Sequence, residues 1–87
     1  MDELFEKLAD TIALEFAIAR EQISMGSKLQ EELGIDYNGM LDLADRVEKE
    51  FSIVTDLNEF LSCKCAGDIV AIIYREQLET THGGANP

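Results

Sequence analysis

The segment at residues 34–40, GIDYNGM, combines acidic, amide and glycine residues of the kind that can bind a metal ion. A helix-loop-helix calcium loop needs oxygen ligands at positions 1, 3 and 5, a glycine at position 6 and a bidentate glutamate at position 12. Counted from Asp36, position 3 is Asn38, but position 5 is Met40 and position 12 is Val47. The spacing excludes a calcium loop and predicts a helix cap followed by a turn.

The other residue types that do chemistry in proteins form no recognisable set. Cys63 and Cys65 are too close together for an easy disulfide, and the single histidine, His82, stands near the end of the sequence. A zinc site needs further ligands at defined spacings, and the sequence has no glycine-rich phosphate-binding motif. We therefore predict no metal site, no catalytic residues and no enzymatic activity, with the cysteines as structural or incidental thiols.

The charge of the chain bears on its partners. Acidic residues outnumber basic ones by 18 to 7, the formal charge is −11, and the basic residues are scattered. Nucleic acids and anionic membrane surfaces would repel such a protein, so we expect neither as a partner. Basic proteins are the expected partners, although acidity also maintains solubility, and charge alone leaves both interpretations open.

Targeting and membrane signals are not seen in the sequence. No stretch approaches the roughly 18 apolar residues that a membrane-spanning helix needs, and no charged N-terminal region precedes a long apolar run. We therefore expect a cytoplasmic protein without membrane insertion.

Apolar residues recur at helical spacing in four places. The pattern predicts longer helices over residues 2–19, 38–51 and 66–78 and a short helix over residues 57–61. The connection over about residues 20–37 is expected to pack its own apolar residues onto the core. We predict an all-α fold, a small four-helix bundle formed by residues 1–79, followed by a disordered tail at residues 80–87.

The second of these helices has the clearest pattern. Its apolar face comprises Met40, Leu43, Ala44, Val47 and Phe51. Asp36 or Asn38 is expected to cap its N-terminus, and Leu41 points away from the apolar face. In the preceding connection, Ser27 is expected to cap a short turn over residues 28–33.

Three ordered segments carry a family resemblance: IxxxSxLxxxLGxD from residue 23, LDLxxxVEKEF from residue 41 and AGDIV from residue 66. Together they closely resemble the acyl carrier proteins and related carrier domains of fatty-acid, polyketide and peptide synthesis. The resemblance covers about residues 2–78, and the size, helix order and acidity of the chain agree with it. It implies an acyl-carrier-protein-like bundle.

The attachment position of that family is altered here. In the family the second helix opens with Asp-Ser-Leu, and the serine hydroxyl carries 4′-phosphopantetheine through a phosphodiester, whose terminal thiol holds acyl groups. Asp36 matches the aspartate, but Tyr37 stands in place of the serine and Asn38 in place of the leucine. A tyrosine offers a phenol on a flat ring, and its hydroxyl lies several ångströms further from the backbone than that of serine. The resemblance therefore predicts an unmodified Tyr37 and no cofactor, unless 4′-phosphopantetheine is attached in an atypical way.

The resemblance also implies a docking surface. In the family the acidic face of the second helix meets basic patches on enzymes. Acid is retained at Asp36, Asp42 and Glu48, whereas Gly39 and Lys49 have lost it. The residues predicted to bind partners are Asp36, Leu41, Asp42, Asp45 and Glu48.

The leading hypothesis is a monomeric, non-catalytic binding partner of basic-surfaced synthases, ligases or acyltransferases in fatty-acid, lipid or polyketide-type synthesis. One alternative is a conventional acyl carrier protein with an atypical or variant attachment site. Another is a structural interaction bundle without any link to acyl metabolism. If the bundle no longer shelters an acyl chain, the Tyr37 ring is expected to fold over the opening between the second and third helices.

Overall fold

Four α-helices make up the part of the chain that the structure, a computed structural model, describes: the backbone of residues 2–84 and the side chains of residues 3–79. Helix α1 spans Asp2–Phe16, α2 Tyr37–Phe51, α3 Leu57–Leu61 and α4 Ala66–Gly84, with a 3₁₀ turn at Arg20–Gln22. Helix α1 contacts α4 and α2, and α2 contacts α3. The predicted all-α bundle of three longer helices and one short one is confirmed.

One face of each helix is buried, as the 3.6-residue spacing requires. The predicted apolar face of α2, formed by Met40, Leu43, Ala44, Val47 and Phe51, is buried throughout. It packs with Leu8, Ala9 and Ile12 of α1, Phe60 of α3 and Ile69, Val70 and Ile73 of α4 in a single core. Helix α2 therefore packs against the core along its whole length, and its opposite face is exposed to solvent.

Helix α1 ends at Phe16, three residues before its predicted end. The next residue, Ala17, has a φ of 54°, in the left-handed region that L-residues adopt at a cost. The N–H of Ile18 then donates to the carbonyl of Ala13 at 3.1 Å, which closes the end of the helix. The apolar spacing continues past this point, so it could not show where the backbone leaves the helix.

The long connection between α1 and α2 is fastened to the start of α4. The N–H of Leu29 donates to the carbonyl of Lys64 at 2.9 Å, and the N–H of Ala66 donates to the carbonyl of Ser27 at 3.1 Å. Ile23, Leu29 and Ile35 of the connection are buried in the core. This confirms that the connection packs its own apolar residues, and it fixes the position from which α2 begins.

The predicted role of Ser27 as a cap of the following turn is wrong. Its hydroxyl faces backwards, accepting from the N–H of Ser24 at 2.8 Å and donating to the carbonyl of Gln22 at 3.2 Å. The first N–H of the turn, on Lys28, instead donates to the carboxylate of Glu32 at 2.7 Å. Burial of Ser27 explains the difference, because a buried hydroxyl needs partners within the protein and this one finds them in the residues that precede it.

Helix α4 continues to Gly84, into the segment predicted as a tail. Residues 85–87 of that segment lie outside the described residues, and the domain boundary after residue 79 stays a prediction. Over the described residues, neither α4 nor any other helix combines the length and the apolarity needed to cross a bilayer.

Candidate functional site

The entrance of α2 is built around Asp36. Its carboxylate Oδ1 accepts from the N–H of Gly39 at 2.8 Å, and its carbonyl accepts from the N–H of Met40 at 2.9 Å. The preceding residue, Ile35, is buried, and its N–H donates to the carbonyl of Leu29 at 2.9 Å. The predicted cap is thus confirmed for Asp36, and the first turn of α2 is anchored to the long connection on one side and capped on the other.

Tyr37 is the first residue of α2, and 60% of its surface is exposed. A cleft of about 590 Å³ lies nearby. It is lined by Lys28, Gln30, Glu31, Met40, Leu61, Ser62, Cys63 and Lys64. Tyr37 is not among these lining residues, so its ring does not fill this cleft. The expected fold of the ring over the opening between the second and third helices stays a prediction.

Three serine hydroxyls of the chain are engaged or placed elsewhere in the fold and do not match the attachment position of 4′-phosphopantetheine. Ser27 is buried, with its oxygen engaged as described above, and Ser62 donates to the carbonyl of Glu59 at 2.7 Å. Ser52 caps the opposite end of α2. At the entrance itself the exposed hydroxyl is the phenol of Tyr37. The residues at the α2 N-terminus therefore do not fit a serine-linked prosthetic group.

Gly39 occupies a place where the chain has no room for a side chain. A Cβ atom there would lie 2.9 Å from Cγ2 of Ile35, and 3.2 Å from both Oδ1 of Asp36 and Cε1 of Phe16. The missing acid at this position follows from that packing, because the entrance of α2 lies directly against the end of α1. A glycine inside a strong helical pattern is the sequence signal that could have indicated this contact.

The carboxylates predicted to bind partners differ in what they contact. Asp45 pairs with Lys49 at 3.0 Å. The half-buried Glu48 accepts from both the N–H and the hydroxyl of Thr55, at 2.8 and 3.1 Å. Among the described side chains Asp42 forms no ion pair and is exposed. The structure thus places Glu48 in a role inside the fold and leaves Asp42 facing solvent.

Leu41, the apolar residue predicted for the docking face, is half-buried. It follows Tyr37 by four residues, so the two side chains are neighbours along the helix surface. They form a short apolar row at the start of α2, whereas Asp42 faces another side of the helix, where it lines a shallow cavity with Arg46 and Lys49. The residues at the start of α2 therefore present both apolar and acidic groups to solvent.

Helices α3 and α4 are joined by a charged pair that the sequence did not indicate. The Arg75 guanidinium donates to both carboxylate oxygens of Glu59, at 2.7 and 2.6 Å, and these hydrogen bonds lower the pKa of Glu59. The pair joins residues 16 apart in the sequence, so neither helical spacing nor a local motif could reveal it.

Cys63 and Cys65 are free thiols in the connection between α3 and α4, and both are half-buried. Burial raises the pKa of the Cys63 thiol to about 12, and the nearby carboxylates of Asp68 and Glu59 act in the same direction. Among the described residues, no cluster of three or more histidine, cysteine or carboxylate side chains is arranged to hold a metal ion.

No protein-family model matches this chain, but several curated proteins are similar to it, among them three acyl carrier proteins. The acyl carrier protein of Thermotoga maritima is 28% identical over 75 residues, covering 86% of this chain and 93% of that protein. The acyl carrier protein of Aster yellows witches'-broom phytoplasma is 31% identical over 70 residues, covering 80% and 92% respectively. The acyl carrier protein AcpXL of Rhizobium meliloti is 39% identical over 56 residues, covering 64% and 59%.

Proposed function

The chain belongs to the acyl carrier protein family, and we propose that it is a member that is not loaded with 4′-phosphopantetheine. In this proposal it acts as a non-catalytic binding partner of enzymes in fatty-acid, lipid or polyketide-type synthesis. The observation that carries the proposal is the exposed Tyr37 side chain at the first position of α2, where the family places its serine.

The chemistry of the side chain supports the unloaded state. The transferase that loads the family must bring its phosphate donor to a small hydroxyl close to the helix backbone. The phenol of Tyr37 stands at the far end of a rigid ring, and the N–H of Gly39 in the same turn is already bonded to Asp36. A pocket shaped for serine would have to accept this ring before any phosphodiester could form.

The intact frame of α2 supports a binding role. Asp36 still caps the helix, and the predicted apolar face is fully packed. The exposed side retains Asp36, Leu41 and Asp42 at positions where the family contacts its enzymes. With a net charge of −11, the whole chain attracts basic protein surfaces. Of the predicted partner-binding residues, Asp45 and Glu48 belong to this proposal as well, although both already have partners within the chain.

A second candidate function is that of a conventional carrier whose prosthetic group is linked to the phenol. The same observation favours it, because the Tyr37 side chain is exposed at the place where the family carries its arm. The two functions differ in one covalent bond, so a mass measurement separates them.

Incubation with coenzyme A and a broad-specificity phosphopantetheinyl transferase, followed by intact-mass analysis, tests the proposal. We expect no mass gain for the wild-type chain and a gain of one phosphopantetheine for Tyr37→Ser. Tyr37→Phe is the matched control, because it keeps the ring and removes the hydroxyl. A gain for the wild type that disappears in Tyr37→Phe would establish the conventional carrier and contradict the unloaded state.

A further inference from the structure

The cleft between the long connection and the α3–α4 connection is a place where positive charge exceeds negative charge in an otherwise acidic chain. Its volume of about 590 Å³ lies within the range of about 300–1,000 Å³ that small-molecule sites occupy. Two lysines, Lys28 and Lys64, line it together with one carboxylate, that of Glu31, whereas the whole chain has a formal charge of −11. A cleft with this local charge attracts anions.

Lys64 differs from the other basic residues because its charge is not compensated. Five of the others pair with carboxylates, namely Arg20, Lys28, Arg46, Lys49 and Arg75. Lys7 donates to the carbonyl of Glu50 and lies over the ring of Phe51. Among the described side chains, the Lys64 ammonium has no such partner, and the nearby carboxylate of Asp68 accepts from backbone N–H groups instead. An ammonium group of this kind, at the wall of a cleft, is available to a ligand.

The backbone that carries the two lysines is fixed on both sides of the cleft. The N–H of Lys28 donates to the carboxylate of Glu32 at 2.7 Å, and the carbonyl of Lys28 accepts from the N–H of Glu32 at 3.0 Å. The N–H of Lys64 donates to the carboxylate of Asp68 at 2.9 Å, and its carbonyl accepts from the N–H of Leu29 at 2.9 Å. Because these hydrogen bonds already order both segments, binding of a ligand costs little backbone entropy there.

The rest of the lining is partly apolar. Leu61 and Cys63 are half-buried, and Met40 reaches the cleft from the first turn of α2. The lysine ammonium is a compact point charge that pairs with a carboxylate or a phosphate alike. A ligand with such a head and a short apolar remainder matches both parts of the lining, because its head meets the lysines while its remainder covers Leu61 and Cys63.

We propose that this cleft binds a free small organic anion, with a carboxylate or phosphate head and a short apolar remainder, without a covalent bond to the chain. Lys64 pairs with the head, and Lys28 exchanges Glu31 for the ligand. Salt screens charges that lie more than about 8–10 Å away, so the ammonium groups at the cleft, and not the distant carboxylates of the chain, decide the attraction at physiological ionic strength. The inference goes beyond the proposed function and does not depend on whether Tyr37 carries a prosthetic group.

NMR titrations of the isotope-labelled wild-type chain at constant ionic strength test the inference with two probes, hexanoate and butyl phosphate. We expect saturable shifts of the backbone N–H signals of residues 28–31 and 61–64 with at least one probe, and the tighter probe identifies the head group. Hexanol lacks the charge and inorganic phosphate lacks the apolar remainder. Each should bind at least about fivefold more weakly than the probe it is compared with.

A matched pair of variants tests the role of Lys64. Lys64→Gln and Lys49→Gln change the net charge equally, but Lys49 lies outside the cleft and pairs with Asp45. Lys64→Gln should weaken binding of the tighter probe by at least about threefold, whereas Lys49→Gln should leave the dissociation constant within about twofold. The NMR spectra of the two variants also show that both remain folded.

Three results would overturn the inference. One is the absence of saturable shifts at these residues with both probes. Another is binding of hexanol or inorganic phosphate as tight as that of the matching probe. The third is equal weakening by Lys64→Gln and Lys49→Gln, since the attraction would then come from the charge of the whole chain. None of these results bears on the proposed function, which the loading experiment tests through a covalent mass gain.

Discussion

Gly39 at the entrance of α2 lies so close to Ile35 that a Cβ atom on the glycine would be 2.9 Å from the isoleucine Cγ2. Ile35 is buried and β-branched, so its methyl group cannot move aside without a change of rotamer or backbone. The short contact explains why a residue with poor helix propensity stands in the first turn of α2.

Gly39→Ala should therefore destabilise the fold although alanine is the better helix former. The gain in helix propensity is about 1 kcal/mol, and overpacking of this kind costs about 1–3 kcal/mol. We expect a net loss of about 1 kcal/mol in the free energy of unfolding, measured by urea denaturation. The matched control is Gly26→Ala, where an added Cβ meets nothing within 4 Å; it should be neutral or stabilising by up to about 1 kcal/mol. A stabilised Gly39→Ala variant would show that the contact is not tight.

Ala17→Gly should stabilise the end of α1. Ala17 is exposed with a φ of 54°, a conformation that costs an L-residue about 1–2 kcal/mol and glycine almost nothing. Glycine also has greater backbone entropy in the unfolded chain, which offsets part of this gain. We therefore expect the free energy of unfolding to rise by about 0.5 kcal/mol. The control is Ala19→Gly, because Ala19 is also exposed but has a φ of −60°. It should lose stability, and equal losses in both variants would refute the strain at Ala17.

Asp68 should make a pH-dependent contribution to stability at the start of α4. Its carboxylate accepts from the N–H groups of Lys64 and Cys65, at 2.9 and 3.2 Å, and these hydrogen bonds lower the pKa of Asp68. A group with a lowered pKa in the folded state stabilises the fold above its unfolded pKa of about 3.9 and loses that effect as the pH falls through the folded value.

We therefore expect Asp68→Ala to cost about 1 kcal/mol at pH 7, as the loss of a helix cap does. The difference from the wild type should shrink as the pH is lowered below about 4. Urea denaturation at a series of pH values measures it. Asp42→Ala, on the exposed face of α2, should leave stability unchanged or slightly raised at pH 7. A difference for Asp68→Ala that stays constant down to pH 2 would contradict the assigned role of the carboxylate.

Cys63 should react slowly with alkylating reagents in the folded protein. The thiolate is the reactive form, and burial raises the pKa of this thiol to about 12, so little thiolate exists at pH 8. Iodoacetamide labelling followed by peptide mass spectrometry should show Cys63 reacting at least about tenfold more slowly than in the urea-unfolded chain. Equal rates in the two states would mean that the thiol is not shielded by the α3–α4 connection.

Local patterns in the sequence predicted the frame of the molecule well. The buried face of α2 and its cap at Asp36 follow from 3.6-residue spacing and from capping chemistry, both of which act over a few residues. The short helix after Asp56 follows in the same way, since the Asp56 carboxylate accepts from the N–H of Glu59 at 3.2 Å. These features depend on neighbours along the chain, which the sequence displays directly.

Features that depend on distant neighbours were not predictable in this way. The Arg75–Glu59 pair joins two helices through residues 16 apart in the sequence. Two features of shorter range also lack a signal in the apolar spacing: the left-handed backbone of Ala17 that ends α1, and the hydrogen bonds of the Ser27 hydroxyl to Ser24 and Gln22. The position of the candidate site could be inferred from the sequence, but which of its carboxylates are already paired could not.

The central claim is that this member of the acyl carrier protein family keeps its fold and an exposed α2 entrance without carrying the prosthetic arm. The most direct test is the intact mass of the chain isolated from the cells that make it, with fragmentation across residues 34–40. The account predicts the mass of the unmodified polypeptide and an unmodified Tyr37. A chain heavier by one phosphopantetheine, with the added mass located on Tyr37, would contradict it.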